Sequence, residues 1–167
     1  MSYFHNITKC DMNNGDGLRV VLWLSGCSHH CPECQNPQTW NPENGVPFDE
    51  GARAELMDAL MPDYIQGLTF SGGDPMYEGN REVVLDLCKM MKNIYPNKDI
   101  WMWTGYTYEE ILQNELMSEI LSYVDVLVDG RYKKELRDIS IPWRGSTNQR
   151  VINVKKSTLD NIIKHCE

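Results

Sequence analysis

Apolar positions along the chain follow one repeating order: a short apolar run, a polar or Gly-rich loop, then a helical stripe. Val20, Val21, Leu22, Trp23 and Leu24 form a continuous run, and similar runs lie at 68–70, 100–103, 126–128 and 151–154. Continuous rather than alternating runs predict parallel strands covered by helices. Between them, Asp49 caps an expected helix through Leu56 and Leu60 that Pro62 stops. Val83, Val84, Leu87, Cys88 and Met91 make a second stripe after Asn80, closed by Pro96. Thr107 and Glu110 form a capping box ahead of Ile111, Leu112 and Leu116. Leu159, Ile162, Ile163 and Cys166 share one face of an expected short C-terminal helix. Strand–helix alternation with short links implies an α/β fold with a mainly parallel sheet. Five strands are too few for a closed eight-stranded barrel, so the pattern predicts an open, partial β/α barrel. No repeat or linker divides residues 1–167, which read as a single domain.

Composition narrows the class. With 41% apolar and 24% charged residues over 167 positions, disorder, collagen-like repeats and coiled coils are excluded. A net charge of −8 argues against gripping nucleic acid through its phosphates. The charge is uneven: residues 1–130 carry 7 bases and 20 acids, whereas residues 131–167 carry 9 bases and 4 acids. The basic run Arg131, Lys133, Lys134 and Arg137 reads as a solvated face or a docking patch. No stretch approaches the roughly 18 apolar residues of a membrane span, and the N-terminus has no signal-type run. The expected location is cytoplasmic, where thiols stay reduced. Six cysteines, at 10, 27, 31, 34, 88 and 166, then need a role other than disulfides.

In parallel α/β folds chemistry gathers at the C-terminal ends of the strands. The residues that follow the first four predicted strands are Ser25-Gly26-Cys27, Ser71-Gly72-Gly73-Asp74-Pro75, Thr104-Gly105-Tyr106 and Asp129-Gly130-Arg131. Four polar loops thus meet on one rim. The first opens Cys27-Ser28-His29-His30-Cys31-Pro32-Glu33-Cys34, a C-x₃-C-x₂-C spacing. Two chemistries suit three close thiols. A zinc-binding interaction module needs a fourth ligand, such as His29 or His30, and ordinarily a second cysteine pair, which is missing. A four-iron cluster would keep one iron without a protein ligand, the arrangement that binds substrate. Cys88 and Cys166 fall on apolar helix faces, where buried structural thiols are common.

Five stretches together carry a family resemblance. They are Gly15-Asp16-Gly17-Leu18-Arg19 leading into Trp23 to Cys27; the cysteine motif with Gln35-Asn36-Pro37-Gln38-Thr39-Trp40; Phe70 to Pro75; Trp103-Thr104-Gly105-Tyr106; and Asp129-Gly130-Arg131 followed by Arg144-Gly145-Ser146-Thr147-Asn148-Gln149-Arg150. They resemble the radical S-adenosylmethionine (SAM) enzymes, and among them the activating enzymes of anaerobic ribonucleoside-triphosphate reductase. Glu33 stands where much of the superfamily has an aromatic residue, a departure shared by the reductase activases. Gly15-Asp16-Gly17 replaces the Gly-Pro-Gly common in glycyl-radical activases.

The resemblance implies a partial barrel of the radical SAM type and a [4Fe–4S] cluster on Cys27, Cys31 and Cys34. It implies that SAM chelates the open iron, with its amino group at Ser71-Gly72-Gly73-Asp74. Asp74 would accept from that amine, and Arg131 would pair with the SAM carboxylate unless it is a plain surface arginine. Asp129 would hold Arg131 or the ribose hydroxyls, and the backbone around Glu33, Cys34 and Gln35 would flank adenine. No side chain is implied to be catalytic beyond holding cluster and SAM. Reductive cleavage of SAM would yield a 5′-deoxyadenosyl radical that makes a glycyl radical on the reductase. A one-electron donor such as flavodoxin or ferredoxin would supply the electron. An activase of another glycyl-radical enzyme and a small metabolite-acting radical SAM enzyme are the enzyme alternatives. His29 and His30 read as partly exposed loop residues, and Trp101 or Trp103 as core.

Overall fold

The structure is a computed structural model, and it describes residues 1–165. In chain order the elements are β1 (Tyr3–Asp11), β2 (Leu18–Leu24), β3 (Val46–Pro47), α1 (Glu50–Ala59), β4 (Ile65–Gly72), α2 (Arg81–Ile94), β5 (Asp99–Trp103), α3 (Tyr108–Leu112), α4 (Glu115–Leu121), β6 (Val126–Asp129) and β7 (Arg150–Asn153). One seven-stranded sheet runs in the order β3-β1-β2-β4-β5-β6-β7. Its centre, β2-β4-β5-β6, is parallel, whereas β3-β1, β1-β2 and β6-β7 are antiparallel. The sheet is open, so the α/β class holds and no closed barrel forms.

Helix starts follow the side chains that the pattern singles out. Asp49 accepts from the Ala52 amide at 2.9 Å, and Thr107 accepts from Glu110 at 3.2 Å. Each satisfies an otherwise orphaned first-turn donor. Leu56, Leu87, Met91, Met117 and Ile120 from three helices all enter one core with Val20, Leu22, Phe70, Ile100 and Leu127 of the sheet. Completely removing a Leu, Ile or Phe side chain from water contributes about 1.5–3 kcal/mol.

All those helices share one sheet face, which departs from the expected burial by helices on both. The opposite face carries Trp101, Val126, Val128 and Val151, with Trp103 and Trp143 packed against them. Trp101 lies 5.9 Å from the Trp103 ring and edge-on to Trp143 at 5.5 Å. Indole and valine surfaces cover each other there, so the strands are apolar on both faces without a second helical layer. Arg19 lies fully buried on this face. It pairs with Asp99 at 2.6 Å and donates to Thr69 Oγ1 and to the Leu68 and Asp16 carbonyls. Burial pulls its pKa down while Asp99 opposes that shift.

Four further expectations are corrected. The sheet has seven strands among the described residues, not about five: polar residues such as Asn6, Lys9 and Cys10 interrupt the apolar pattern of β1, and β3 is only two exposed residues. β7 runs antiparallel to β6, since the chain returns through a loop without a crossover helix. The expected C-terminal helix is absent. There, Ser157 Oγ accepts from the Ile163 amide, Asn153 donates to the Ile163 carbonyl, and Lys164 bridges to Ile152. Those backbone groups are satisfied by the sheet edge rather than by a helix, and Cys166 lies outside the described residues. The stripe after Thr107 also divides into two helices, because Asn114 caps α4 afresh through the Met117 amide.

Candidate metal centre

The loops after β2, β4, β5 and β6 do meet, around a cavity of about 350 Å³ on the helix-free side. Cys27, Cys31 and Cys34 line it together with Gln35, Ser71, Gly72, Gly73 and Asp74. The cysteine loop is pinned at its base, where Gly26 donates to the Thr39 carbonyl at 2.6 Å and Cys27 to that of Trp40 at 3.1 Å. Left-handed backbone at His30 (φ 47°) and Glu33 (φ 58°) curls it inward, at a cost of about 1–3 kcal/mol each. The Asn36 amide donates to the Cys34 sulfur at 3.4 Å.

Burial pushes the Cys27 thiol up to about 11 and raises Cys31 as well. Both are therefore protonated at neutral pH until a metal displaces the proton. Among the described residues, no three His, Cys, Asp or Glu side chains converge at single-ion distance. The three thiols instead border one volume, which suits an iron–sulfur cluster that takes each thiolate on a different iron. Cys10 is exposed on β1 and Cys88 is buried in α2, where burial raises its thiol to about 12. Neither lines this cavity.

The Gly-Gly-Asp loop serves a second purpose. A Cβ on Gly72 would sit 2.4 Å from the Leu24 carbonyl, and one on Gly73 would sit 2.5 Å from that of Gly26. The glycines thus let β4 and its loop close against the cysteine strand, a requirement of the protein's own backbone. Asp74, 1% exposed, is equally committed. Its Oδ1 accepts from the Met76 amide at 2.8 Å and Thr104 Oγ1 at 2.7 Å. Its Oδ2 accepts from the Gly105 amide at 3.0 Å and faces His29 Nε2 at 2.8 Å. The carboxylate expected to receive an amine instead fastens three rim loops together.

His29 is a partly exposed loop residue as expected, but its side chain is turned inward and buried. Its Nδ1 accepts from Arg131 Nε at 2.9 Å, so the ring proton lies on Nε2, directed at Asp74. The ring also packs against Gly105, where a Cβ would come within 2.4 Å of it. His30 is exposed and stacks on Trp40 at 4.6 Å. Arg131 lies outside the cavity lining, bound to His29 and 3.7 Å from Glu110. Glu33 also stands outside, paired with Lys134 at 2.8 Å.

Asp129 holds neither Arg131 nor a cavity-facing position. It accepts from Arg150 at 2.5 and 3.1 Å and from the Tyr108 amide at 2.8 Å. Arg150 continues to Glu109 through two contacts of 2.8 and 3.0 Å. The Arg150 hydrogen bonds hold the Glu109 carboxyl below its usual range, and Asp129 and Glu109 raise Arg150. A depressed carboxylate contributes stability that is present above its unfolded value, about 4.3, and lost as pH falls through the folded value. Glu109→Gln is therefore expected to reduce the acid-side loss of stability below about pH 4.3. Urea midpoints measured from pH 6 down to 3 for both proteins check this.

Residues 144–150 form a turn that brings Arg144, Gly145 and Gln149 to the cavity wall, with Gly145 beside Gln35. Gln149 Oε1 accepts from the Gly145 and Ser146 amides while its amide nitrogen donates to the Gly130 carbonyl. Asn148 donates to the Arg131 carbonyl, and buried Ser146 accepts from the Lys133 amide. The cavity also takes in Asn13, Asn14, Tyr132 and Arg144, for which sequence pattern assigned no part. Three of these had a signal. Asn13 and Asn14 precede the Gly15–Gly17 turn, and Arg144 opens the last of the five stretches.

Comparison with known proteins agrees with this geometry. A family model described as a 4Fe-4S single cluster domain matches residues 13–152. A protein of Enterobacteria phage T4 is 46% identical over 162 residues, covering 97% of this chain and 98% of its own. A Pasteurella multocida protein is 44% identical over 141 residues, covering 83% and 89%. One from Escherichia coli K12 is 38% identical over 154 residues, covering 91% and 99%. All three are named anaerobic ribonucleoside-triphosphate reductase-activating protein. With a cluster-domain match over most of its length and relatives that align nearly end to end, the chain belongs to the family of anaerobic ribonucleoside-triphosphate reductase-activating proteins.

Proposed function

We propose that this protein activates an anaerobic ribonucleoside-triphosphate reductase by forming a glycyl radical on it, with a [4Fe–4S] cluster and SAM in the cavity described. The observation that carries the reading is three thiols bordering one cavity to which neither Cys10 nor Cys88 contributes. One iron is then left for substrate, and Cys27, Cys31 and Cys34 are the residues that hold the others. A cluster held by these thiolates would supply the single electron that breaks the 5′ carbon–sulfur bond of SAM with release of methionine, the chemistry that hydrogen-atom removal from a glycine of the reductase requires.

The chain's own contribution is positioning and exclusion. Main chain of Ser71, Gly72 and Gly73 presents polar groups to the cofactor's amino acid portion, while Asp74 holds that loop to His29, Thr104 and Gly105. Gln35 and the backbone beside Cys34 border the adenine position. Trp103, its indole fixed by a 2.8 Å hydrogen bond to the Trp143 carbonyl, gives the cavity an apolar wall that keeps water from a radical. The open sheet acts as a partial radical SAM barrel, whose gap admits a loop of the reductase. No helix among the described residues is long and apolar enough to cross a membrane. A cytoplasmic location keeps the thiols reduced, and a flavodoxin- or ferredoxin-type donor provides the electron.

Electron paramagnetic resonance of the anaerobically reconstituted, dithionite-reduced protein tests this reading. A reduced [4Fe–4S] signal that changes shape with SAM is expected, followed by a glycyl-radical signal when the reductase is added. A colourless, signal-free protein with stoichiometric zinc would overturn it.

A further inference from the structure

In the 144–150 turn nearly every polar side chain is consumed by the fold. Ser146, Asn148, Gln149 and Arg150 are bound to the 129–133 segment or to the turn itself. Arg144 and the buried Asn148 Oδ1 are the exceptions. The Nη1 of Arg144 makes one 3.2 Å contact to the Gln149 carbonyl, and its buried Nε has no hydrogen-bond partner. Among the described residues no carboxylate lies within ion-pair distance of it, as is also true of Arg81 and Arg137, and the Asp138 carboxylate acts on it only from longer range. A buried, unpartnered guanidinium nitrogen loses hydration without compensation, a cost that an incoming acceptor removes.

The placement specifies that acceptor. Among the described residues Arg144 is the one arginine or lysine lining the cavity, and the one carboxylate there, Asp74, is already engaged by its four partners. Left-handed Trp143 (φ 65°), tied to Trp103, sets where the following side chain begins. SAM carries a single anionic group, the carboxylate of its methionine portion, and a guanidinium recognises a carboxylate with paired hydrogen bonds. Resting on the proposed function, we infer that Arg144, rather than Arg131, binds the SAM carboxylate and so selects a cofactor that bears one. Arg131 instead positions His29.

Binding of SAM and of decarboxylated SAM to the reconstituted protein tests this by calorimetry, with circular dichroism and iron content confirming fold and cluster. Arg144→Gln is expected to weaken SAM binding on the order of 10- to 100-fold and to leave decarboxylated SAM unchanged. Arg144→Lys keeps the charge and recovers part of the loss, which also covers the event that the glutamine variant fails to fold. Arg137→Gln, on the exposed basic run, leaves both affinities unchanged. An Arg144→Gln protein that loses affinity equally for both compounds, or for neither, overturns the inference. Loss of discrimination in Arg131→Gln alone would return the role to Arg131. Wild-type protein that binds no SAM at all would overturn the proposed function itself, a distinguishable result.

Discussion

Cys27→Ala, Cys31→Ala and Cys34→Ala proteins are each expected to lose SAM cleavage entirely, whereas Cys88→Ala and Cys10→Ala proteins retain it. Each thiol of the first set borders the shared cavity, and losing one leaves an iron without its anchor. Cys88 lies in the α2 core, so its truncation removes one small buried group and costs on the order of 1 kcal/mol of stability. Cys10 is exposed, and its loss alters neither core nor cavity. The check is 5′-deoxyadenosine release from SAM under reducing, anaerobic conditions, with iron and sulfide analysis of every variant. Cleavage retained by the Cys31→Ala protein would end the assignment of that thiol, and cleavage lost only in Cys88→Ala would end the whole ligand set.

Asp74→Ala is expected to damage both stability and SAM binding, although its carboxylate has no lone pair free for the cofactor. Its oxygens receive Met76, Thr104 and Gly105 donors and face His29. Truncation leaves several buried donors unpaired and costs about 3 kcal/mol. It also frees His29, located between Cys27 and Cys31, from the loop that follows β4. Asp74→Asn preserves shape but turns an NH₂ toward groups that themselves donate, so it is expected to rescue little. Urea unfolding separates the stability loss from the binding loss measured by calorimetry. Wild-type stability and unchanged SAM affinity in Asp74→Ala would remove Asp74 from its proposed place as the fastener of the rim.

The cysteine motif and the four rim loops were legible because their chemistry is local. Three thiols within eight residues must share a neighbourhood whatever the fold. Loops that follow buried parallel strands gather at one end of a sheet by topology alone. Helix caps at Asp49 and Thr107 were readable for the same reason, since a cap and its amide are separated by three residues. β1 was not readable, because an edge-side strand with Asn6, Lys9 and Cys10 lacks the apolar run that marked its neighbours. The C-terminal helix failed where short-range periodicity competed with a sheet edge that offered the same backbone partners.

Side-chain partners divided along the same line. Sequence alone pointed to Cys27, Cys31 and Cys34 as the proposed cluster ligands, and it placed Gly72, Gly73 and Asp74 on the same rim. Tertiary structure decided what each of them touches. Asp129 turned to Arg150 rather than Arg131, and His29 entered the interior to join Asp74 with Arg131. Arg144 became the cation of the cavity. Ligand spacing is a short-range property of the chain, whereas the pairing of buried charges is settled by whichever groups distant segments bring within a few ångströms, where desolvation leaves none of them free to remain alone.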